Sequence, residues 1–259
     1  INSEDILYLI DEEEIQIKGR SSSLIFSNYN FKSEDLIILR DESILESNKP
    51  TTIIDKKNQT LYEIDKFRYF IKDEILKGNK IFINTKFNQP FSDKYFFKNG
   101  IFNLKDQSYI AKDIDINLKK DIFGNKKNDP RFKGISSSSK NGVTIIDKGI
   151  FTSCKKNDKC PPWSVQAKKI TYDKNKKQIL YDNALIKVYD IPIIYFPKFF
   201  HPGPSVKRQS GLLTPHINNS NILGSSLQLP YFHVLSDNKD FTFKPTFFDK
   251  DIFMIQNEY

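Results

Sequence analysis

The sequence predicts an all-β fold, and three observations carry that prediction. Helical periodicity is nearly absent, whereas apolar residues recur at every second position over short runs. Phe and Tyr are abundant, 22 and 12 of 259 residues, and with Ile and Thr they suit the pleated, half-buried surface of a sheet. Stretches rich in Asn, Asp, Lys and Ser break the runs at intervals of roughly ten residues, the rhythm of a sandwich or jellyroll.

The elements follow in order. Ile6, Leu7, Tyr8, Leu9 and Ile10 read as an apolar strand near the chain start, followed by the acidic turn Asp11-Glu12-Glu13-Glu14. An unpaired strand there would be a template for strand addition, although an internal strand reads the same way. Ile15 and Ile17 flank Gln16. Phe67, Tyr69 and Ile71 share one face of a later segment, and Ile81 and Ile83 share another. These five are the candidates for lining an apolar groove. Ile186 and Val188 flank Lys187. Turns are predicted at 55–58, 77–79, 98–100 and 173–175.

One strand-turn-strand pattern recurs. Residues 53–62 resemble residues 171–181, each with an Asp-Lys turn, and a weaker copy spans 102–109. Repeated hairpins imply stacked rungs of a solenoid or jellyroll. Pro192 and Pro197 interrupt the apolar run from Ile191 to Phe200. Proline lacks the ladder donor, so this is an edge strand or a broken one.

Near residue 201 the texture changes. Residues 201–211 read as a rigid polar linker. Beyond it, Phe241, Phe243, Pro245 and Phe247 fall on one face and Thr242, Lys244 and Thr246 on the other. Phe253, Ile255 and Tyr259 similarly oppose Met254, Gln256 and Glu258. Outer-membrane barrel strands alternate this way, and so does a soluble sheet with one wet face.

The net charge is +8. A basic surface suits nucleic acid, anionic lipid or phosphorylated glycolipid, or reflects a lineage bias towards Lys. The lysines are scattered and form no stripe interleaved with aromatics, which speaks against nucleic acid. No signal peptide stands at Ile1, which suggests a trimmed or processed start. No apolar run is long enough for a transmembrane helix, and membrane strands would escape that criterion.

The residues hold little that suggests catalysis. His201, His216 and His233 are the only histidines, and none lies in a nucleophile elbow or metalloprotease spacing. There is no Gly-rich phosphate loop, and no paired carboxylates of the kind a glycan-cleaving β-helix would need. No cofactor or metal is expected. Cys154 and Cys160 are the two cysteines, too few for a zinc site. They could be free thiols, a local loop, or halves of disulfides to other parts.

Several segments, in order, carry a family resemblance. They are Asn128-Asp129-Pro130-Arg131-Phe132-Lys133-Gly134, then Gly149-Ile150-Phe151-Thr152-Ser153-Cys154 with Trp163 following, then Ile191-Pro192-Ile193-Ile194-Tyr195-Phe196-Pro197. Lys207-Arg208-Gln209-Ser210-Gly211-Leu212-Leu213-Thr214-Pro215 and Leu227-Gln228-Leu229-Pro230-Tyr231-Phe232 complete the set. The order resembles the LptD family, also called the organic-solvent-tolerance family, which assembles lipopolysaccharide at the outer membrane. The resemblance is specific from about residue 121 onward and only architectural before it.

It implies an open, twisted β-jellyroll in the periplasm over 1–205 and the first strands of an outer-membrane β-barrel over 206–259. It implies a chain that is not an enzyme. Lipopolysaccharide acyl chains would lie in the jellyroll groove, with the phosphorylated head near a basic rim. The lipid would pass to the barrel and leave sideways at a lateral gate marked by Pro215 and Pro230. Expected partners are an LptA-like bridge protein pairing with Ile6–Ile10, an LptE-like plug lipoprotein, and the outer membrane. Cys154 matches a family cysteine bonded to the far end of the barrel, and Cys160 departs from the family pattern. The alternative is a soluble β-rich adhesin or scaffold without lipid transport.

Overall fold

Alternating apolar residues between Asn- and Lys-rich turns produce antiparallel hairpins throughout. The computed structural model describes every residue except 21, 90–91, 120–128, 156–161, 203–209, 214–215, 223 and 250–251, and describes no side chain at 202 or 212. No helix occurs among the described residues. The protein is all-β, as the alternation predicts, and it divides into two units, Ile1–Phe200 and His201–Tyr259.

The first unit begins with short strands: β1 (Asp5–Leu9), β2 (Glu14–Lys18), β3 (Ser23–Phe26), β4 (Tyr29–Lys32), β5 (Asp35–Leu39), β6 (Ile44–Ser47) and β7 (Thr51–Asp55). Long strands follow: β8 (Thr60–Phe70), β9 (Ile75–Thr85), β10 (Lys94–Asn103), β11 (Ser108–Asn117), β12 (Arg131–Lys140), β13 (Val143–Thr152), β14 (Trp163–Asp173), β15 (Gln178–Val188) and β16 (Ile191–Pro202). They form one sheet, and the sheet divides at β8. Thr60 to Ile64 pair with β7, whereas Phe67 to Phe70 pair with β6. One arm continues through β6, β5 and β2 to β1, and the other through β7 and β4 to β3. The arms face each other across a core. Phe31 of β4 lies 5.7 Å from Phe67 and 5.4 Å from Tyr69, ring centre to ring centre.

From β8 to β15 the sheet is folded along a crease. Ile64 pairs with Ile81 and Lys66 with Asn79, but Asp65 and Lys80 are skipped. The lapse recurs at Lys98 and Asp113, around Lys148, and at Lys168 and Asn183. In alternate strands the skipped residue has left-handed backbone: Lys80 (φ 48°), Asp113 (φ 50°), Lys148 (φ 47°) and Asn183 (φ 53°). Such a residue turns the strand and shifts the alternation by one. Inward residues of β15 therefore run Ile179, Tyr181, then Ala184, and β8 makes the same shift, from Tyr62 and Ile64 to Phe67 and Tyr69, without a left-handed residue.

The inside of the crease is narrow. Gly78, Gly100 and Ala111 lie side by side in β9 to β11, and Gly149, Ala167 and Ala184 in β13 to β15. A Cβ on Gly78 would stand 2.8 Å from Ile64 Cγ2, and one on Gly149 2.6 Å from Ile170 Cδ1. This corrects the turns predicted at 77–79 and 98–100. Those glycines sit mid-strand in β9 and β10, where large neighbours fill the space a side chain would need. The hairpins predicted at 53–62, 102–109 and 171–181 join β7 to β8, β10 to β11 and β14 to β15.

The second unit contains β17 (Gly211–Leu212), β18 (His216–Ser220), β19 (Gly224–Gln228), β20 (Tyr231–Ser236), β21 (Lys239–Phe248) and β22 (Phe253–Glu258). β19 and β20 both pair with β21, one after the other, so they are two halves of a single course interrupted at Leu229 and Pro230. β17 and β18 pair in the same way with β20 and β19. The faces of this sheet are unequal. Thr242 and Thr246 are buried, whereas Phe247, Phe253 and Ile255 on the opposite face are about half exposed.

Candidate functional site

The hairpins between β7 and β8, β10 and β11, β12 and β13, and β14 and β15 bring their tips to one end of the folded sheet. Side-chain caps fix these tips. Asn58 donates its amide N–H to Asp55 at 3.0 Å and its Nδ2 at 2.7 Å. The amides of Asn175 and Lys176 both donate to Asp173 Oδ1 at 3.0 Å. Asn175 Nδ2 donates to the Asn141 carbonyl at 2.8 Å, tying one tip to the next. Asp and Asn recur at these positions because their short side chains close such turns.

The tips surround a polar opening of about 570 Å³, with Lys57, Lys105 and Lys174 among its walls and Glu74 and Asp106 as the acids. Behind it lies a cavity of about 170 Å³ that shares Leu104, Gln107, Ser139 and Lys174 with the opening. Ile83, Phe97 and Phe102 supply its apolar wall, and Tyr62, Tyr95, Tyr109, Ser139 and Thr144 supply hydroxyls. Tyr109 shares a hydrogen bond with Ser137 at 3.2 Å, and Thr144 donates to Ser139 at 3.0 Å. Burial pushes the phenols of Tyr62 and Tyr95 well above their ordinary range, aided by Asp55 and Asp93 respectively. Burial also raises Tyr109, against the pull of Ser137 and Thr144. All three are neutral hydroxyls at ordinary pH.

Phe67, Tyr69, Ile81 and Ile83 are buried on the inner face, and Ile71 is half-buried against the same core. Only Ile83 of the five lines the cavity. Phe67 and Tyr69 are stacked against Phe31. Ile6, Leu7, Tyr8 and Leu9 form β1, the terminal strand of its arm, and Ile10 begins the following turn. Tyr8 receives a hydrogen bond from Arg40 Nη1 at 2.8 Å. β16, which contains Pro192, Pro197 and Pro202, is the terminal strand at the other end of the sheet order. Its Ile191, Ile193, Ile194 and Tyr195 are exposed.

Cys154 is a free thiol among the described residues. Arg131 Nη1 donates to its carbonyl at 2.5 Å. Cys160, Pro215 and most of the linker at 201–211 lie outside the described residues. Pro230 occupies the break between β19 and β20, where its carbonyl accepts from the Leu213 amide at 2.8 Å. Among the described residues no group of three His, Cys, Asp or Glu side chains could hold a metal. No described helix is long and apolar enough to cross a membrane.

Sequence reasoning missed the cavity-lining Tyr62, Tyr95, Phe97, Phe102, Tyr109, Thr144 and Lys174. The available signal was that aromatics in β8, β10 and β11 fall within a few residues of a hairpin tip, and that Ser136 to Ser139 place hydroxyls on both faces of β12.

No family model matches the chain. It is similar to curated proteins named LPS-assembly protein LptD. The protein of Polaromonas sp. strain JS666 is 26% identical over 149 residues, covering 52% of this chain and 18% of the relative. That of Legionella pneumophila strain Paris is 28% identical over 115 residues, covering 44% and 13%. That of Yersinia enterocolitica is 31% identical over 119 residues, covering 46% and 15%. The matched stretch thus spans less than a fifth of each of these relatives.

Proposed function

We propose that this chain is part of a lipopolysaccharide-assembly protein of the LptD type. Lipopolysaccharide is carried in the interior of the first unit's folded sheet and handed to an outer-membrane barrel begun by the second. One observation carries the reading: the folded sheet encloses an aromatic interior that opens through a lysine-bearing mouth. An amphipathic anionic lipid fits that polarity, with its chains inside and its phosphates outside. The named similarity of relatives across half the chain supports it independently.

The second unit fits a membrane wall. Its polar face, with Gln228, Thr242, Thr246 and Gln256, holds internal hydrogen bonds such as Gln228 to Thr246 at 3.1 Å. Its opposite face exposes Leu227, Tyr231, Phe247, Phe253 and Ile255, as lipid-facing strands do. In this reading the first unit is periplasmic and β1 is the edge at which an LptA-like bridge adds its strand. An LptE-like lipoprotein would plug the completed barrel. No reaction is catalysed. The soluble adhesin or scaffold reading has no observation in its favour.

The test is photo-crosslinking in living cells. A photoreactive residue at Ile83 should yield lipopolysaccharide adducts, and one at the outward-facing Lys112 should not. Equal labelling at both, or labelling at Lys112 alone, defeats the reading.

A further inference from the structure

The sequence holds the same local pattern twice, Lys98-Asn99-Gly100-Ile101 and Lys140-Asn141-Gly142-Val143. We propose that Asn141, and not Asn99, is a site of spontaneous deamidation, which turns a neutral amide on the lysine-bearing mouth into a carboxylate. Asparagine followed by glycine is open to this reaction because glycine has no side chain to shield its amide nitrogen. The Gly142 nitrogen loses its proton and attacks Cγ of Asn141. The new C–N bond closes a cyclic imide, and the Cγ–Nδ2 bond breaks to release ammonia. Water then opens the ring at either carbonyl. Opening at Cγ leaves Asp, and opening at the main-chain carbonyl of residue 141 leaves an isoaspartyl linkage.

The fold separates the two copies. Asn99 is exposed, but Gly100 is buried in mid-strand, paired with Gly78 on one side and Ala111 on the other. A Cβ there would stand 2.6 Å from Phe102 Cε2 and 3.2 Å from Ile81 Cδ1, so an imide ring has no room. Asn141 and Gly142 are instead the two central residues of the turn between β12 and β13, with φ of 51° and 78°. Asn141 is exposed. Among the described residues neither its side chain nor the Gly142 N–H has a hydrogen-bond partner. The two carbonyls are held: Asn175 Nδ2 donates to that of Asn141 at 2.8 Å, and the Lys174 amide donates to that of Gly142 at 3.0 Å. The first of these bonds draws electron density from the peptide unit whose nitrogen attacks, which eases loss of its proton. Position gives the product its effect. Three lysines, Lys57, Lys105 and Lys174, wall the mouth against two acids, Glu74 and Asp106, and Asn141 lies on the same wall. A carboxylate at 141 makes the count three against three and cancels the excess positive charge. The isoaspartyl form also adds a main-chain carbon to a two-residue turn whose length fixes the pairing of Lys140 with Val143.

The experiment ages the whole folded chain in mildly alkaline buffer and follows both Asn-Gly peptides by mass spectrometry, with aspartyl and isoaspartyl forms separated by chromatography. The Asn141 peptide should take on the amide-to-acid mass shift at least about tenfold faster than the Asn99 peptide, the ratio that a strand opening of only ~1.4 kcal/mol enforces. In denaturant the two peptides should convert at matching rates, because their local sequences match. Asn141→Gln should remove the fast conversion, because the longer side chain must close a larger ring. Equal rates in the folded chain, or faster conversion at Asn99, overturns the proposal. So does an Asn141 peptide that converts only in denaturant.

Discussion

Asp65 and Lys80 form an ion pair at 2.8 Å across β8 and β9, at the point where both strands skip a partner. Lys98 and Asp113 repeat the arrangement at 3.5 Å across β10 and β11. The outer side of the crease thus carries exposed charges, and its inner side carries Gly78, Gly100 and Ala111. The two sides differ in consequence. Exposed pairs contribute little, because water screens them. Close-packed interiors do not accommodate an added methyl without strain. Asp65→Asn should therefore leave the thermal midpoint nearly unchanged. Gly78→Ala, whose Cβ would meet Ile64 at 2.8 Å, should destabilise by about 1–3 kcal/mol. Thermal melts of the two variants decide this, and a larger loss for Asp65→Asn would reverse the account.

The same crease marks where the sequence stops being legible. Alternation gave the strand class because a period of two survives within each half-strand, as in Tyr62 and Ile64 or Phe67 and Tyr69. It could not give the crease, where Ile64 to Phe67 and Phe97 to Gly100 are three-residue steps between inward positions. That shift looks like the end of a strand, and the glycines beside it look like turns. The hairpins with Asp-capped turns were readable because the cap is local, made by Asp55 or Asp173 within three residues. The cavity was not, because Tyr62, Tyr95 and Lys174 converge only through the pairing of distant strands.

Alkaline pH should unfold the first unit. Burial, with Asp55 and Glu74 nearby, pushes Tyr29 up to about 12, and burial also raises Tyr62, Tyr95 and Tyr181 well above their ordinary value. A phenol raised in the folded state favours folding fully below its unfolded value near 10 and loses that contribution as pH climbs through the folded value. Denaturant midpoints should stay flat with respect to these tyrosines through neutral pH and fall from about pH 10 to 12. Phenolate absorbance recorded alongside should lag behind that of the unfolded chain. Ionisation of all tyrosines near 10 in the folded protein would be incompatible with this burial.

β1 should accept a partner strand. In an antiparallel edge, neighbouring residues point their N–H groups alternately at the paired strand and away from it. Of Tyr8→Pro and Leu9→Pro, one removes an outward donor and the other a donor to β2. The outward substitution should abolish binding of an LptA-like bridge protein while leaving the melting temperature within a few degrees. The other should loosen β1 itself. Bridge binding at parental strength in both variants would place the contact elsewhere.

Cys154 should pair outside this chain. Its carbonyl is held by Arg131, and its sulfur lies 3.6 Å from the Trp163 carbonyl, so the thiol has a fixed position at the end of β13. In an oxidising compartment such a thiol is expected to be bridged. Full-length protein carrying Cys154→Ser should lose its mobility shift between non-reducing and reducing gels. A retained shift that disappears only when Cys160 is also replaced would assign the bond to Cys160 instead.

Pro230 should weaken the seam of the second unit. It occupies the break between β19 and β20, accepting from Leu213 at 2.8 Å, while Leu229 donates to the Pro245 carbonyl at 3.0 Å. Carbonyls on this line are therefore used, but proline supplies no N–H in return. In hydrocarbon a missing ladder bond is not replaced by water, and each one costs several kcal/mol. A wall meant to stay closed would avoid proline here, whereas a wall meant to part would place it at the parting. Pro215, the other proline of the proposed gate, lies outside the described residues. Pro215→Ala combined with Pro230→Ala in the full-length protein should leave assembly intact and restore donors at the seam. Lipopolysaccharide delivery should then slow, and cells should admit large antibiotics that the parent excludes. Surface lipopolysaccharide and antibiotic sensitivity measured side by side give the answer: parental values for both, with normal amounts of assembled protein, would show that these prolines merely end strands.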